Sequence, residues 1–201
     1  MERRDALKNL GLSIGGITMS STVVGLLQSC SGKSNLSWNP EIFDSQEAEL
    51  ITKTLEVILP KTEDIPGATE LNLTQFIDGY IKHVSGFEEQ KSIKKLAEKY
   101  LSTTKAKLGK KNVSDMTLDD IDSRLAYYLK ADKSQIDQWS NEDSDDASNY
   151  NFLNSLRSRG VSAFKMSEYI GEKVLAYSPI PGQQIGCVDL DEATGGKAWS
   201  I

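Results

Sequence analysis

From Asp44 onward the apolar residues of this chain recur every three or four positions, and no stretch alternates convincingly at period two. Residues i, i+3, i+4 and i+7 share one side of a helix, whereas strand side chains alternate. The spacing therefore points to helices packed on helices. Asp44 with Glu47 three positions on forms a capping box. Ala48, Ile51, Leu55, Ile58 and Leu59 then share a face, and Pro60 stops the helix. Leu73, Phe76, Ile77, Tyr80, Ile81 and Val84 make a second stripe, expected to be buried. A third helix carries Ile93, Leu96, Ala97, Tyr100 and Leu101 and ends at Gly109. A fourth runs from about Thr117 through Ile121, Leu125, Tyr128 and Leu129. A fifth uses Phe152, Leu153, Leu156, Val161 and Phe164, with Gly160 as a candidate break. A short last helix holds Tyr169, Ile170, Val174 and Leu175 before Pro179. Residues 61–69 and the acidic run 140–149 read as loops. The expected fold is one all-α domain of about five or six helices over residues 44–201, with an extended, irregular tail from Ser178 lying over the helices or over a partner.

Composition then narrows function. The 201 residues hold 23 Lys and Arg against 29 Asp and Glu, a net charge of -6, and the pI is about 4.9. That balance argues against nucleic acid as the main partner, since phosphate binding needs a basic face. A single histidine excludes His-rich metal sites, and two cysteines cannot supply a Cys₄ zinc site or an iron–sulfur cluster from this chain.

The first thirty residues read as an address. Arg3, Arg4 and Lys8 form a basic head, and no charge follows from Asn9 to Gly32. That length would cross a bilayer, for which about 20 residues suffice. Its many Gly, Ser and Thr residues suit a cleaved export signal better than a permanent anchor, and an uncleaved membrane helix is the alternative. Arg3-Arg4-Asp5-Ala6-Leu7-Lys8 resembles the twin-arginine motif R-R-x-F-L-K, departing from it at Ala6, and that route carries folded cargo. Leu27-Gln28-Ser29-Cys30 resembles a lipobox, with Cys30 as the lipid attachment point. Residues 1–29 are thus the expected signal and 30–43 a lipidated N-terminus and polar spacer. The protein is expected to be exported and membrane-anchored in the bacterial cell envelope, on its periplasmic side. Gly32-Lys33-Ser34 imitates a P-loop end, but Leu27 stands where the first glycine belongs and no strand precedes it.

Other candidate chemistry has plainer readings. An EF-hand loop from Asp143 would need Gly at 148 and Glu at 154, where Ser148 and Asn154 stand. His83, beside Lys82 at a helix end, suits the helix dipole, as do Lys105, Lys107, Lys110 and Lys111, which are expected to face solvent; contact with anionic lipid is the alternative for these lysines. Asp119 and Asp120 suit a helix N-terminus better than acid/base work. No Ser or Cys nucleophile has an identifiable base. If Cys30 is lipidated, Cys187 is a leftover thiol in an oxidising compartment, pointing to a disulfide with a partner chain or to burial.

The tail SEYIGEKVLAYSPIPGQQIGCVDL, residues 167–190, followed by Gly196 and Trp199, resembles the gluconate 2-dehydrogenase subunit 3 family together with ILPKTEDIPGATELNLTQFID, residues 58–78. The resemblance spans about 45 to 201. It is most specific at Pro60 with Thr62, at Pro66-Gly67-Ala68, at Phe76-Ile77-Asp78, and at Tyr177, Pro179, Pro181 and Gly182 leading to Gly186 and Cys187. Gln183 and Gln184 depart from the aromatic residue that family tails often carry there. The resemblance implies a small, non-catalytic accessory subunit with no cofactor of its own. Its partner would be a large FAD-dependent dehydrogenase of the glucose–methanol–choline type, acting on a sugar or sugar acid, often with a cytochrome c bearing heme c in a third subunit. The small subunit would bear the twin-arginine signal, through Arg3 and Arg4, and carry the flavin-loaded partner out.

The loop around Pro66 and Gly67 and the tail from Tyr177 to Trp199 are then candidate docking surfaces. Tyr177 and Trp199 would be aromatic anchors, and Pro179 and Pro181 would stiffen the tail. Intramolecular packing is the alternative role for these residues. The rival function, from another class, is a stand-alone envelope lipoprotein that binds a sugar or another envelope component.

Overall fold

A computed structural model of the chain describes residues 36–142, 144–178, 180, 182 and 186–200, of which Glu142 is described in its backbone only. Arg3, Arg4, Cys30, Pro179 and Pro181 lie outside the described residues. The elements are α1 (Ser45–Ile58), α2 (Leu73–Val84), α3 (Phe87–Leu108), a 3₁₀ turn (Val113–Asp115), α4 (Leu118–Leu129), α5 (Lys133–Glu142), α6 (Asp145–Met166), a π-helical turn (Ile170–Val174) and α7 (Leu190–Thr194). The all-α expectation holds, and among the described residues no helix is long and apolar enough to cross a membrane.

The helix starts follow from local chemistry. Asp44 Oδ1 accepts from the backbone N–H groups of Gln46 and Glu47, and Glu47 Oε2 accepts from that of Asp44. Thr117 and Asp120 repeat this box at α4. Lys110 reaches the same carboxylate at 2.5 Å, and that hydrogen bond, with those from Thr117, brings Asp120 down to about 2. Two of the four lysines expected in solvent are therefore engaged: Lys110 with Asp120 and the Asp115 carbonyl, and Lys105 with the Gln46 side-chain oxygen. The segment entering α1 is fastened from α2, where buried Asp78 accepts from the N–H groups of Glu41, Ile42 and Phe43 at 2.7, 3.1 and 3.1 Å. His83, in the last turn of α2, lies 3.7 Å from Glu41.

Two helices form the centre. α6 packs against α1, α2, α3, α4 and α5, while α1 also meets α2, α3, α4 and the 3₁₀ turn. The core that gathers around them includes Leu50, Ile51, Leu55, Ile81, Ile121 and Leu153, all nearly inaccessible. Here the structure corrects the reading of Gly160 as a break, since α6 runs through it without interruption. A Cβ there would sit 2.6 Å from Leu55 Cδ2, so the glycine serves close approach of α1 and α6.

Two further expectations change. Lys133–Glu142 is a helix that periodicity missed, because its apolar content is little more than Ile136 and Trp139. Trp139 is buried among Tyr127, Tyr128 and Tyr150, with ring centroids 5.5 to 5.9 Å away. The acidic run 140–149 is thus split between the end of α5 and the start of α6, where Ser144 caps the backbone N–H of Ala147. The stripe on α2 is also only half buried: Leu73, Ile77 and Ile81 enter the core, whereas Phe76, Tyr80 and Val84 remain exposed.

Candidate docking surface

The loop between α1 and α2 folds onto its own chain. Ala68 N–H donates to the Leu59 carbonyl at 2.9 Å, and Thr62 N–H donates to that of Ile65 at 2.9 Å. Glu56 at the end of α1 accepts from the backbone N–H groups of Lys61 and Thr69. Gly67 is buried under this arrangement, and a Cβ there would meet the Glu56 carboxylate and lie 2.7 Å from Lys61 N. Pro66 is half-buried and Ala68 fully so. The sharp Pro66-Gly67-Ala68 motif has this internal duty, closing the loop, and only its charged tip faces outward.

The tail behaves differently. After the π-helical turn, Ala176 pairs in parallel with Trp199: its N–H donates to Ala198 O at 2.9 Å, and its carbonyl accepts from Ser200 N at 3.0 Å. This clip returns the chain end to the start of the tail, which contains the short helix α7 as well as the irregular segments expected. Few tail side chains gain cover from it. Tyr177 is 43% exposed, Trp199 52% and Ile180 85%, and α7 buries no residue. Gly182 and Gly186 are exposed, and Cys187 is an exposed free thiol, so burial does not account for it.

A third feature was absent from the sequence reading. Between α2 and α6 runs a groove of about 300 Å³ lined by Phe76, Tyr80, Ser162, Arg159 and Met166. Phe76 and Tyr80 stand one turn apart with ring centroids 6.2 Å apart. Arg159 is held at the rim by Glu89 at 2.7 Å. Met166, 67% exposed, also lines a smaller hollow with Gly171, Tyr177 and Ser200. Exposed Met166 is common to the two hollows, the first carrying Phe76 and Tyr80 of α2, the second mixing Tyr177 of the tail with Lys165, Glu168 and Glu172. Of the residues singled out in the sequence as docking candidates, Tyr177 lines the smaller hollow, whereas Gly67 is buried in its own loop. The available signal was the width of the α2 stripe, which holds two parallel ridges where a single neighbouring helix covers one.

A model of the family described as gluconate 2-dehydrogenase subunit 3 matches residues 45–182, from the first residue of α1 to Gly182. No curated protein and no solved structure matches the chain.

Proposed function

Because the chain belongs to the gluconate 2-dehydrogenase subunit 3 family, and so to the accessory subunits of a dehydrogenase complex, we propose that it is a non-catalytic partner of a large FAD-dependent dehydrogenase of the glucose–methanol–choline type. Its work in this reading is co-export through Arg3 and Arg4, stabilisation of the flavoprotein, and tethering through a lipid on Cys30. The observation that carries the binding part is the exposed apolar surface of Phe76, Tyr80, Met166 and Tyr177 on a domain whose core is already closed. Aromatic side chains in such a position supply large contact area with few rotors to immobilise, which is why they anchor interfaces. The C-terminal clip, with Trp199 half-exposed and paired with Ala176, lies beyond the part of the chain that the family model matches.

Co-expression with the flavoprotein tests this. The pair is expected to co-purify with flavin absorbance. Phe76→Glu with Tyr80→Glu should weaken the complex by roughly 30-fold or more, the effect of losing a hot-spot anchor, while the isolated chain stays folded. Unchanged co-purification of that variant removes the surface from the interface, and a chain that never carries a flavoprotein favours the stand-alone lipoprotein. Replacing Arg3 and Arg4 by Lys addresses export separately: partner activity still reaching the envelope would defeat the carrier role.

A further inference from the structure

On another side of the molecule, α3, α4 and α6 enclose an open cleft of about 370 Å³. Arg124 of α4 lines it and is only 7% exposed. A buried guanidinium is normally matched by a carboxylate, because an unpaired charge out of water is strongly disfavoured. Here no carboxylate among the described residues lies within ion-pair distance of Arg124, and its Nε has no hydrogen-bond partner. Its only described hydrogen bond runs from Nη2 to the Tyr128 hydroxyl at 2.9 Å.

The surroundings hold this side chain in place without neutralising it. The Tyr128 hydroxyl also accepts from Asn149 Nδ2 at 3.0 Å and donates to Asp146 Oδ1 at 2.9 Å. Burial pushes that phenol up to about 12, so it stays a donor at any physiological pH. The rings of Tyr128 and Tyr127 lie 5.0 and 6.0 Å from the guanidinium carbon, which offsets part of the charge. Asn149 is tied in turn to Thr103 of α3. Tyr128 and Asn149 are thus committed to other groups, while Arg124 Nε has no partner among the described residues. Lys107, exposed on the same cleft, makes no ion pair among the described residues.

We propose that this cleft is a carboxylate-binding site in which Arg124 receives the carboxylate and Lys107 adds a second positive charge. The acidic groups at the rim select among anions. Asp145 pairs with Lys99 at 2.6 Å, and the Asp146 carboxylate beside the site accepts from the Tyr127 and Tyr128 hydroxyls. A single negative charge is therefore favoured over a phosphate dianion, which would meet stronger repulsion. The planar guanidinium matches a carboxylate edge to edge, a geometry that a lysine cannot reproduce. The ligand is either a free small acid or an acidic side chain of a bound polypeptide, and the two share this chemistry.

The test follows the Nε–H resonance of Arg124 in the ¹⁵N-labelled full-length protein. Acetate and N-acetyl-aspartate N-methylamide should each shift it saturably, and chloride at the same ionic strength should not. Lys107→Gln, an exposed change that leaves the fold intact, should weaken both by about twofold to fivefold, the scale of one partly screened ion pair. Arg124→Lys, checked for folding by circular dichroism, should abolish saturation. Tighter binding of the aspartyl amide than of acetate assigns the carboxylate to a polypeptide; the reverse order assigns it to a free acid. An identical shift with chloride, or no saturable shift in the wild-type protein with either carboxylate, overturns the proposal.

Discussion

The two ridges of α2 are built from similar residues at the same helical period, yet they have opposite fates. Leu73, Ile77 and Ile81 are at most 3% exposed, while Phe76, Tyr80 and Val84 are 43 to 62% exposed. The buried ridge faces the centre formed by α1 and α6. Phe76 and Tyr80 of the exposed one line a groove that no element among the described residues fills. Periodicity reports which residues would favour leaving water. How many of them find cover depends on how many helices pack nearby.

That contrast orders the expected effects of substitution. The largest belongs to the buried ridge: Ile81→Ala removes methyl groups from a closed core and should destabilise the fold by about 2–5 kcal/mol in urea denaturation. A loss under 1 kcal/mol would mean the core there is loosely packed. Next comes the contact between the central helices. Gly160→Ala places a methyl 2.6 Å from Leu55 Cδ2, so that fully buried side chain must shift, and should cost about 1–3 kcal/mol less whatever Ala gains in helix propensity. A stabilised variant would show that α1 and α6 can separate without loss.

A smaller effect is expected from Glu49, a buried carboxyl whose Oε1 has no hydrogen-bond partner. Burial raises it above its ordinary 4.5, against the opposing pull of Lys53. The folded state therefore holds this proton more tightly than the unfolded chain does. Its stabilising contribution is complete below 4.5 and is lost as pH climbs through the raised folded value. Glu49→Gln should flatten this part of the pH dependence and raise stability at pH 7 by about 1 kcal/mol, read from denaturation midpoints at pH 5 and 7. A variant whose pH profile matches the wild type would place the titration elsewhere. The smallest effect belongs to the exposed ridge: Phe76→Ser should change the stability of the isolated chain by about 0.5 kcal/mol or less. A large loss there would show that this ridge is part of the core after all.

Several parts of the fold were legible because they depend on neighbours in sequence. The capping box at Asp44, the start of α4 at Thr117, the full extent of α2 and the end of α3 at Gly109 all follow from contacts within a turn or two. α5 was missed for the complementary reason. Its helix is sustained by Trp139 inserted among tyrosines of α4 and α6, a stabilisation without local periodicity. Gly160 was misread on similar grounds, since a glycine within an apolar run has the same local appearance whether it ends a helix or admits a neighbour. Of the candidate docking residues, Gly67 is enclosed by its own loop, whereas Tyr177 and Trp199 stand exposed beside the clip at Ala176.

The linear order of residues was enough to establish an all-helical domain, its caps, and its resemblance to a family of accessory subunits, because these rest on propensity, periodicity and short-range hydrogen bonds. The pairing of α1 with α6 through Gly160, the exposure of Phe76 and Tyr80, and the lack of a direct ion pair to Arg124 among the described residues were decided only in three dimensions. Each depends on which surfaces compete for the same space, and groups remote along the chain meet only after the helices have packed.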